Sequence, residues 1–385
     1  MKQKRLTFLL LLISNLFCAS AQKWYKPEID LKVEELLSQM TVEEKLGYIG
    51  GIDWMYTKSI DRLGIHRMRM SDGPQGIGTK GKSTAYPATV TLAATWNENL
   101  AYQYGKALGR DCRARNINVI LGPAVNIYRA PMCGRNFEYM GEDPYLTSRI
   151  CVGYIKGVQD QGVMATVKHF VANNSDYDRN NISNDIDERT LNEIYFPAYK
   201  AAIQEAEVGA IMTSYNLMNG IYTTENPWLL KEVLRNQWGF KGLVMSDWGS
   251  THYCVPAARS GLDLEMAGGE KMNPKDMAYY LKTGDVTMDM VDEKVRHILR
   301  ILIAFGFKDG TEADKSIALD DPQSVETALN VAREGLVLLK NENNILPINP
   351  QKYKHIIVTG KNAHGYVHGG GSCLLYTSPS PRDTR

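Results

Sequence analysis

The sequence predicts an α/β fold in which a parallel (β/α)8 barrel of TIM type comes first and the start of a second α/β domain follows. Three observations lead there. Apolar runs of strand length alternate with amphipathic runs of helical length from about residue 40 to residue 306, the pattern of a parallel sheet with helical crossovers. Nearly every strand-like run ends in polar residues, as expected where many strands feed one site at the C-terminal rim of a barrel. No Gly-x-Gly-x-x-Gly or Walker pattern opens a helix, which disfavours a doubly wound nucleotide-binding sheet.

The strand-like runs are Ile65–Asp72, Val119–Asn126, Met164–Asn174, Ala210–Asn216, Leu243–Asp247 and Leu262–Glu265. Between them the spacing predicts helices over Asn97–Arg115, Ser148–Gln161, Glu188–Ala206, Asn226–Trp238 and Met288–Phe305. Asn97 and Asn226 suit the N-cap, and Pro227 the first helical position. Gly162, Gly209 and Gly239 stand where helix-terminating glycines belong. Residues 22–306 form the barrel domain in this reading, and the charged, poorly periodic stretch 307–323 is a linker. Residues 324–372 begin the second domain, with a helix over Ser324–Lys340, a turn at Asn341–Asn344 and a strand at His355–Gly360.

Both ends of the chain read differently from this core. Lys2, Lys4 and Arg5 precede the apolar run Leu6–Phe17, and Ala19-Ser20-Ala21 supplies small residues before Gln22. Residues 1–21 are therefore expected to be a secretory signal peptide, too short in its apolar part for a transmembrane span. The mature protein is expected to be exported, to periplasm or medium. Cys373–Asp383, CLLYTSPSPRD, resembles translated sequencing-adapter DNA. Residues 373–385 are expected to be foreign to the natural reading frame, which would be interrupted after Ser372.

Composition narrows the function. The chain has 385 residues, 44% of them hydrophobic, with 44 Lys and Arg against 43 Asp and Glu. A net charge of +1 offers no field for nucleic acid or an anionic membrane. Leaving aside Cys18 and Cys373, the cysteines are Cys112, Cys133, Cys151 and Cys254, without Cys-x-x-Cys spacing, so a zinc site is not expected.

The polar strand tips carry the chemistry. Leu243-Val244-Met245 stops at Ser246-Asp247-Trp248, a carboxylate at a strand end beside an indole. Such a carboxylate can attack an anomeric carbon, and the indole offers a flat apolar face to a sugar ring. Taken alone, a strand-end Asp such as Asp247 is more often a helix cap or a salt-bridge partner than a nucleophile. Five other tips join it. They are Asp72 in a tight turn, Arg135 and Glu138 after the second strand, Lys168-His169, Tyr215, and Glu265. Carboxylate, guanidinium, ammonium, imidazole and phenol together suit a neutral polyhydroxylated ligand, because each hydroxyl donates to one group and accepts from another. Each residue also has a structural reading: Arg135 can pair with Glu138 or Glu142, and Lys168-His169 can close a strand-end salt bridge.

With these residues in view, the chain resembles glycoside hydrolase family 3 and its β-glucosidase group. The resemblance runs from about Leu36 to Ser372. It rests on RMSDGPQG (Arg69–Gly76), YPATVTLAATWN (Tyr86–Asn97), GPAVNIYRAPMCGRNFEYMGEDPYL (Gly122–Leu146), VKHFVANN (Val167–Asn174), SYNLMNG (Ser214–Gly220), GFKGLVMSDWGSTH (Gly239–His252) and AREGLVLLKNENNILPI (Ala332–Ile348). The resemblance implies a (β/α)8-type barrel followed by an αβα sandwich. It implies Asp247 as catalytic nucleophile, and Asp72, Arg135, Lys168, His169, Tyr215 and Trp248 as substrate-binding residues. It implies no metal and no cofactor.

The implied reaction is retaining hydrolysis of terminal β-D-glucosyl residues from oligosaccharides or aryl and alkyl glycosides. In the β-glucosidase branch the acid/base is a Glu of the second domain, downstream of Ser372. Glu138, Glu142 and Glu265 are candidates by residue type only. The N-acetylglucosaminidase solution, a loop histidine, does not fit, because Lys168-His169-Phe170 continues as Val171-Ala172-Asn173-Asn174. The chain is therefore expected to cleave natural glycosides poorly. Phe137 and Trp248 favour glucoside over xyloside. A β-xylosidase and a sugar-binding pseudoenzyme are the alternatives, and a Schiff-base aldolase at Lys168 is a distant one.

Overall fold

The computed structural model of the chain describes residues 24–78, 83–360 and 363. The expected signal peptide, 1–21, and the segment 373–385 lie outside the described residues. Five parallel strands form the central sheet: β1 (Met70–Asp72), β2 (Val119–Leu121), β3 (Met164–Phe170), β4 (Ala210–Thr213) and β5 (Leu243–Met245), paired in that order. β2, β3, β4 and β5 are buried along their whole length, which is why they read as continuous apolar runs and not as alternation. Helices cover the sheet. They include α1 (Pro27–Gln39), α2 (Val42–Tyr48), α3 (Thr89–Ala94), α4 (Glu98–Arg113), α5 (Pro144–Gln159), α6 (Pro197–Gln204), α7 (Cys254–Ser260), α8 (Pro274–Thr283), α9 (Met288–Ala304) and α10 (Pro322–Glu334).

The sheet curves, and the gap between its edges is spanned by isolated pairs. Met245 pairs with Leu264 and Glu265 with Gly50, both parallel, while antiparallel bridges join Ile52 to Tyr56 and Tyr56 to Arg69, next to β1. The result is a barrel-like ring of five strands completed by short bridges, without a closed eight-stranded barrel among the described residues. All five strands deliver their C-terminal ends to one side, so the tips converge as the sequence predicts.

The predicted caps behave as capping chemistry requires. Asn97 Oδ1 accepts from Leu100 N at 3.0 Å and Asn226 Oδ1 from Leu229 N at 3.1 Å. Gly162 and Gly239 take positive φ after their helices. Gly209 does not. There the left-handed residue is Glu207, with φ 55, and Gly209 is small for another reason: a Cβ would lie 2.5 Å from Met164 Cγ.

The segment after β5 is tied in by a buried ionic cluster. Asp263 accepts from Arg235 Nη2 at 2.7 Å and from Val244 N at 2.8 Å, and pairs with His297 Nδ1 at 2.7 Å. Burial opposes the Asp263 charge, yet His297 and Arg235 hold its pKa below the ordinary value.

Residues 307–321 are irregular but not free. Arg110 grips Asp321 at 2.7 Å, Arg113 grips Asp314 at 2.7 Å, and Asn118 Nδ2 donates to Thr311 Oγ1 at 2.7 Å. α10 then packs on α4, where Ser324 Oγ and Tyr86 Oη both donate to the buried carboxylate of Asp111, at 2.9 and 2.8 Å. Two expectations fail beyond it. The helix predicted to Lys340 ends at Glu334, and His355–Gly360 forms no strand. A strand needs a neighbour to take its backbone hydrogen bonds, and none lies beside this segment among the described residues. Leu336, Leu339 and Ile357 are accordingly exposed.

Candidate active site

The strand tips enclose a cavity of about 510 Å³, the size of a small-molecule site. Asp72, Arg135, Lys168, Tyr215, Asp247 and Trp248 all line it. His169 stands one layer behind, fully buried. Glu265, which the sequence places among the tips, does not line the cavity. Its carboxylate accepts from the backbone N–H of Lys271 (2.9 Å) and Met272 (2.6 Å) and so fixes a loop.

Local geometry explains how each side chain is placed. Asp72 ends β1, and the chain turns at once through Gly73, with φ 141. A Cβ there would fall 1.6 Å from Gly76 O, so only glycine permits this turn. The loop bearing Arg135 is held from two sides: Gln75 Nε2 donates to Phe137 O at 2.8 Å, and Thr89 Oγ1 to Glu138 O at 2.5 Å. Lys168 and His169 are consecutive in β3, where strand alternation would send them to opposite faces. The register between β3 and β4 shifts between Val167 and Phe170. That irregularity, which re-aims side chains as bulges do, lets Lys168 reach the cavity while His169 reaches Arg135.

Arg135 organises the polar layer. Its Nε pairs with the buried Glu138, which settles Glu138 in place of the exposed Glu142 as its partner. Its Nη2 lies 2.9 Å from His169 Nε2, and its Nη1 lies 3.8 Å from Asp247 Oδ2. A guanidinium only donates, so His169 Nε2 accepts. The imidazole proton then sits on Nδ1, facing Asn126 Oδ1 at 3.4 Å. Burial, with Arg135 and Lys168 adding to it, pushes the His169 pKa well down, so the ring is neutral.

Asp247 stands beside the Arg135–His169 pair. Its Oδ1 accepts from Trp248 N at 2.7 Å. Its Oδ2 is 3.6 Å from His169 Nε2, but that nitrogen presents a lone pair already engaged by Arg135. Oδ2 is buried with no hydrogen-bond partner at ordinary distance, while the Tyr215 hydroxyl is near enough to the carboxylate to favour its charge. Burial raises the Asp247 pKa, and the charges of Arg135 and Lys168 oppose that rise. Burial likewise raises that of Asp72, with Lys168 opposing, and that of Tyr215, which is raised further by the Asp247 charge. The arrangement offers one unshared carboxylate oxygen among donors and acceptors of balanced charge.

Sequence reasoning missed Trp54, Met55, Asp176, Arg179 and Met212, which also line the cavity. Trp54 is largely exposed and meets Trp248 through the bond from Trp248 Nε1 to Trp54 O, 2.8 Å. It lies in an irregular loop with positive φ at Asp53 and Trp54, which no hydrophobic period announces. Among the described residues no group of three or more His, Cys, Asp or Glu could hold a metal ion, and no helix is long and apolar enough to cross a membrane.

Comparison with known proteins identifies the family. The model of the glycosyl hydrolase family 3 N terminal domain matches residues 42–301, and that of the family's C-terminal domain matches residues 336–382. A β-glucosidase of Rhizobium radiobacter is 42% identical over 350 residues, covering 89% of this chain and 43% of that protein. Beta-glucosidase BoGH3A of Bacteroides ovatus is 41% identical over 382 residues, covering 90% of this chain and 50% of that protein. Among solved structures, β-glucosidase 3B of Thermotoga neapolitana in complex with α-D-glucose superposes with a TM-score of 0.77 at 36% identity, over 83% of this chain and 48% of that one. The chain thus spans about half the length of the curated relatives it matches. The strand-tip cavity, the long motifs and the family match over most of its length lead to one conclusion: the chain belongs to glycosyl hydrolase family 3.

Proposed function

We propose that this chain carries the sugar-binding and nucleophilic part of a retaining, exo-acting β-glycosidase specific for β-glucosides. The observation that carries the reading is the unshared, buried Oδ2 of Asp247 at the cavity wall. The names of the relatives, β-glucosidases, and the glucose bound in similar structures support the substrate class. Asp72, Lys168 and Arg135 hold sugar hydroxyls, His169 keeps Arg135 in place, and Trp248 supplies the apolar platform.

In the first step Asp247 Oδ2 bonds to the anomeric carbon as the glycosidic C–O bond breaks, and the leaving oxygen takes a proton from a general acid. In the second step water, deprotonated by the same group, attacks the anomeric carbon and releases Asp247. Asp72 and Asp176 are the other carboxyls lining the cavity. Asp72 is assigned to hydroxyl binding, and Asp176 is engaged by Arg179 at 2.8 Å. The acid/base is a Glu of the family's second domain, outside these 385 residues. Export through the leader 1–21 is part of the same proposal.

A dinitrophenyl β-glucoside tests the reading, because dinitrophenolate leaves without a proton. The chain should release a burst of dinitrophenolate, larger than with the β-xyloside, and cleave cellobiose far more slowly, since acid catalysis contributes about 10²- to 10⁴-fold. A burst that persists in Asp247→Ala would refute the assignment, and a faster xyloside would move the substrate class.

A further inference from the structure

Residues 173–182 follow β3 and carry Arg179 over the site. Its guanidinium carbon lies 4.0 Å from the centre of the Tyr215 ring. Its Nη1 donates to Asp176 Oδ1 at 2.8 Å, and Asp176 packs beside Gly134, where a Cβ would lie 3.2 Å from Asp176 Oδ2. Tyr215, Asp176 and Arg179 all line the cavity.

An arginine on a surface loop ordinarily samples many positions, and this one is restrained by backbone pairing. Ser183 and Asn184, just after its loop, pair in parallel with Leu217 and Met218, just after Tyr215. Leu217 N donates to Ile182 O at 3.0 Å. The Asn219 side chain exchanges bonds with the Ile186 backbone, at 2.7 and 3.0 Å. The loop bearing the cation and the hairpin bearing the ring are therefore locked in one register. A guanidinium stacked on an aromatic face keeps both planes aligned, which an ammonium does not do.

We infer that Arg179 is a positioning residue for the nucleophilic step: anchored by Asp176, it holds the Tyr215 ring so that the phenol stays beside the Asp247 carboxylate. The Tyr215 hydroxyl would otherwise swing with its ring, and a nucleophile's supporting groups act only when held closely in place. This inference rests on Asp247 being the nucleophile.

The test is the rate at which the chain is covalently labelled by a dinitrophenyl β-glucoside bearing fluorine at the second sugar carbon. Arg179→Met is expected to lower the maximal labelling rate about tenfold with little change in the half-saturating concentration, as for a group acting on the reacting geometry and not on binding. Arg179→Lys should recover only part of the rate. In a Tyr215→Phe background, Arg179→Met should add less than about twofold, because coupled residues are non-additive. Equal rates in Arg179→Met and the unaltered chain would overturn the inference alone, as would a full-sized effect in the Tyr215→Phe background. An unaltered chain that takes no label at Asp247 would overturn the nucleophile reading and this inference with it.

Discussion

Arg135 donates to His169 across 2.9 Å, and that hydrogen bond fixes the tautomer of the ring that stands beside Asp247. A histidine protonated at Nε2 would turn its proton towards Asp247 Oδ2, which at 3.6 Å is beyond hydrogen-bond reach. Arg135 excludes that tautomer by taking the Nε2 lone pair.

Nitrogen NMR of the His169 ring tests this directly. The ring should be neutral and protonated at Nδ1 at neutral pH and titrate well below the unperturbed value near 6.5. Burial is the main cause of the lowered pKa, followed by Arg135, so Arg135→Met should move the titration upward. An Nε2-protonated ring or an imidazolium at neutral pH would contradict the geometry.

A second prediction concerns Asp111, under α10. Burial pushes its pKa up to about 6, although Tyr86 and Ser324 both donate to it. Its folded pKa exceeds the unfolded one, so the native state binds the extra proton. Its contribution to stability is complete below about pH 4 and is lost as pH rises through about 6, by roughly 3 kcal/mol. Asp111→Asn should flatten this loss in denaturant titrations compared across pH. Identical pH slopes in the two proteins would show that Asp111 is not the titrating group.

The Asp263 cluster yields a third. Asp263→Ala leaves Arg235, itself buried against Phe240 O and Gly242 O, without its carboxylate. A loss of about 3–5 kcal/mol in urea unfolding is expected. Asp263 has a lowered pKa, so its contribution to stability disappears as pH falls through that value. A change under 1 kcal/mol would mean that the cluster relaxes or is hydrated.

How far the sequence reveals this protein depends on which physics is local. The strands are legible because buried parallel strands are continuous apolar runs, and Asp72, Lys168, Tyr215 and Asp247 are legible because each follows such a run directly. Arg135 is legible through its motif, but its partner is not, because the choice between Glu138 and Glu142 depends on a three-residue turn, Asn136–Glu138. Trp54 and Arg179 lie in irregular loops brought to the site by tertiary pairing alone. Glu265 illustrates the converse: a strand-tip carboxylate with the right pattern is taken by backbone N–H groups. The strand expected at His355–Gly360 has the right composition and no neighbour to pair with.

The proposed covalent intermediate forms on Asp247. Peptide mapping after labelling with the fluorinated dinitrophenyl β-glucoside tests it most directly. One fluoroglucosyl group per chain is expected, on the peptide that contains Asp247, with labelling lost in Asp247→Ala. Label on Asp72, Asp176 or Glu138, or undiminished labelling of Asp247→Ala, would contradict it.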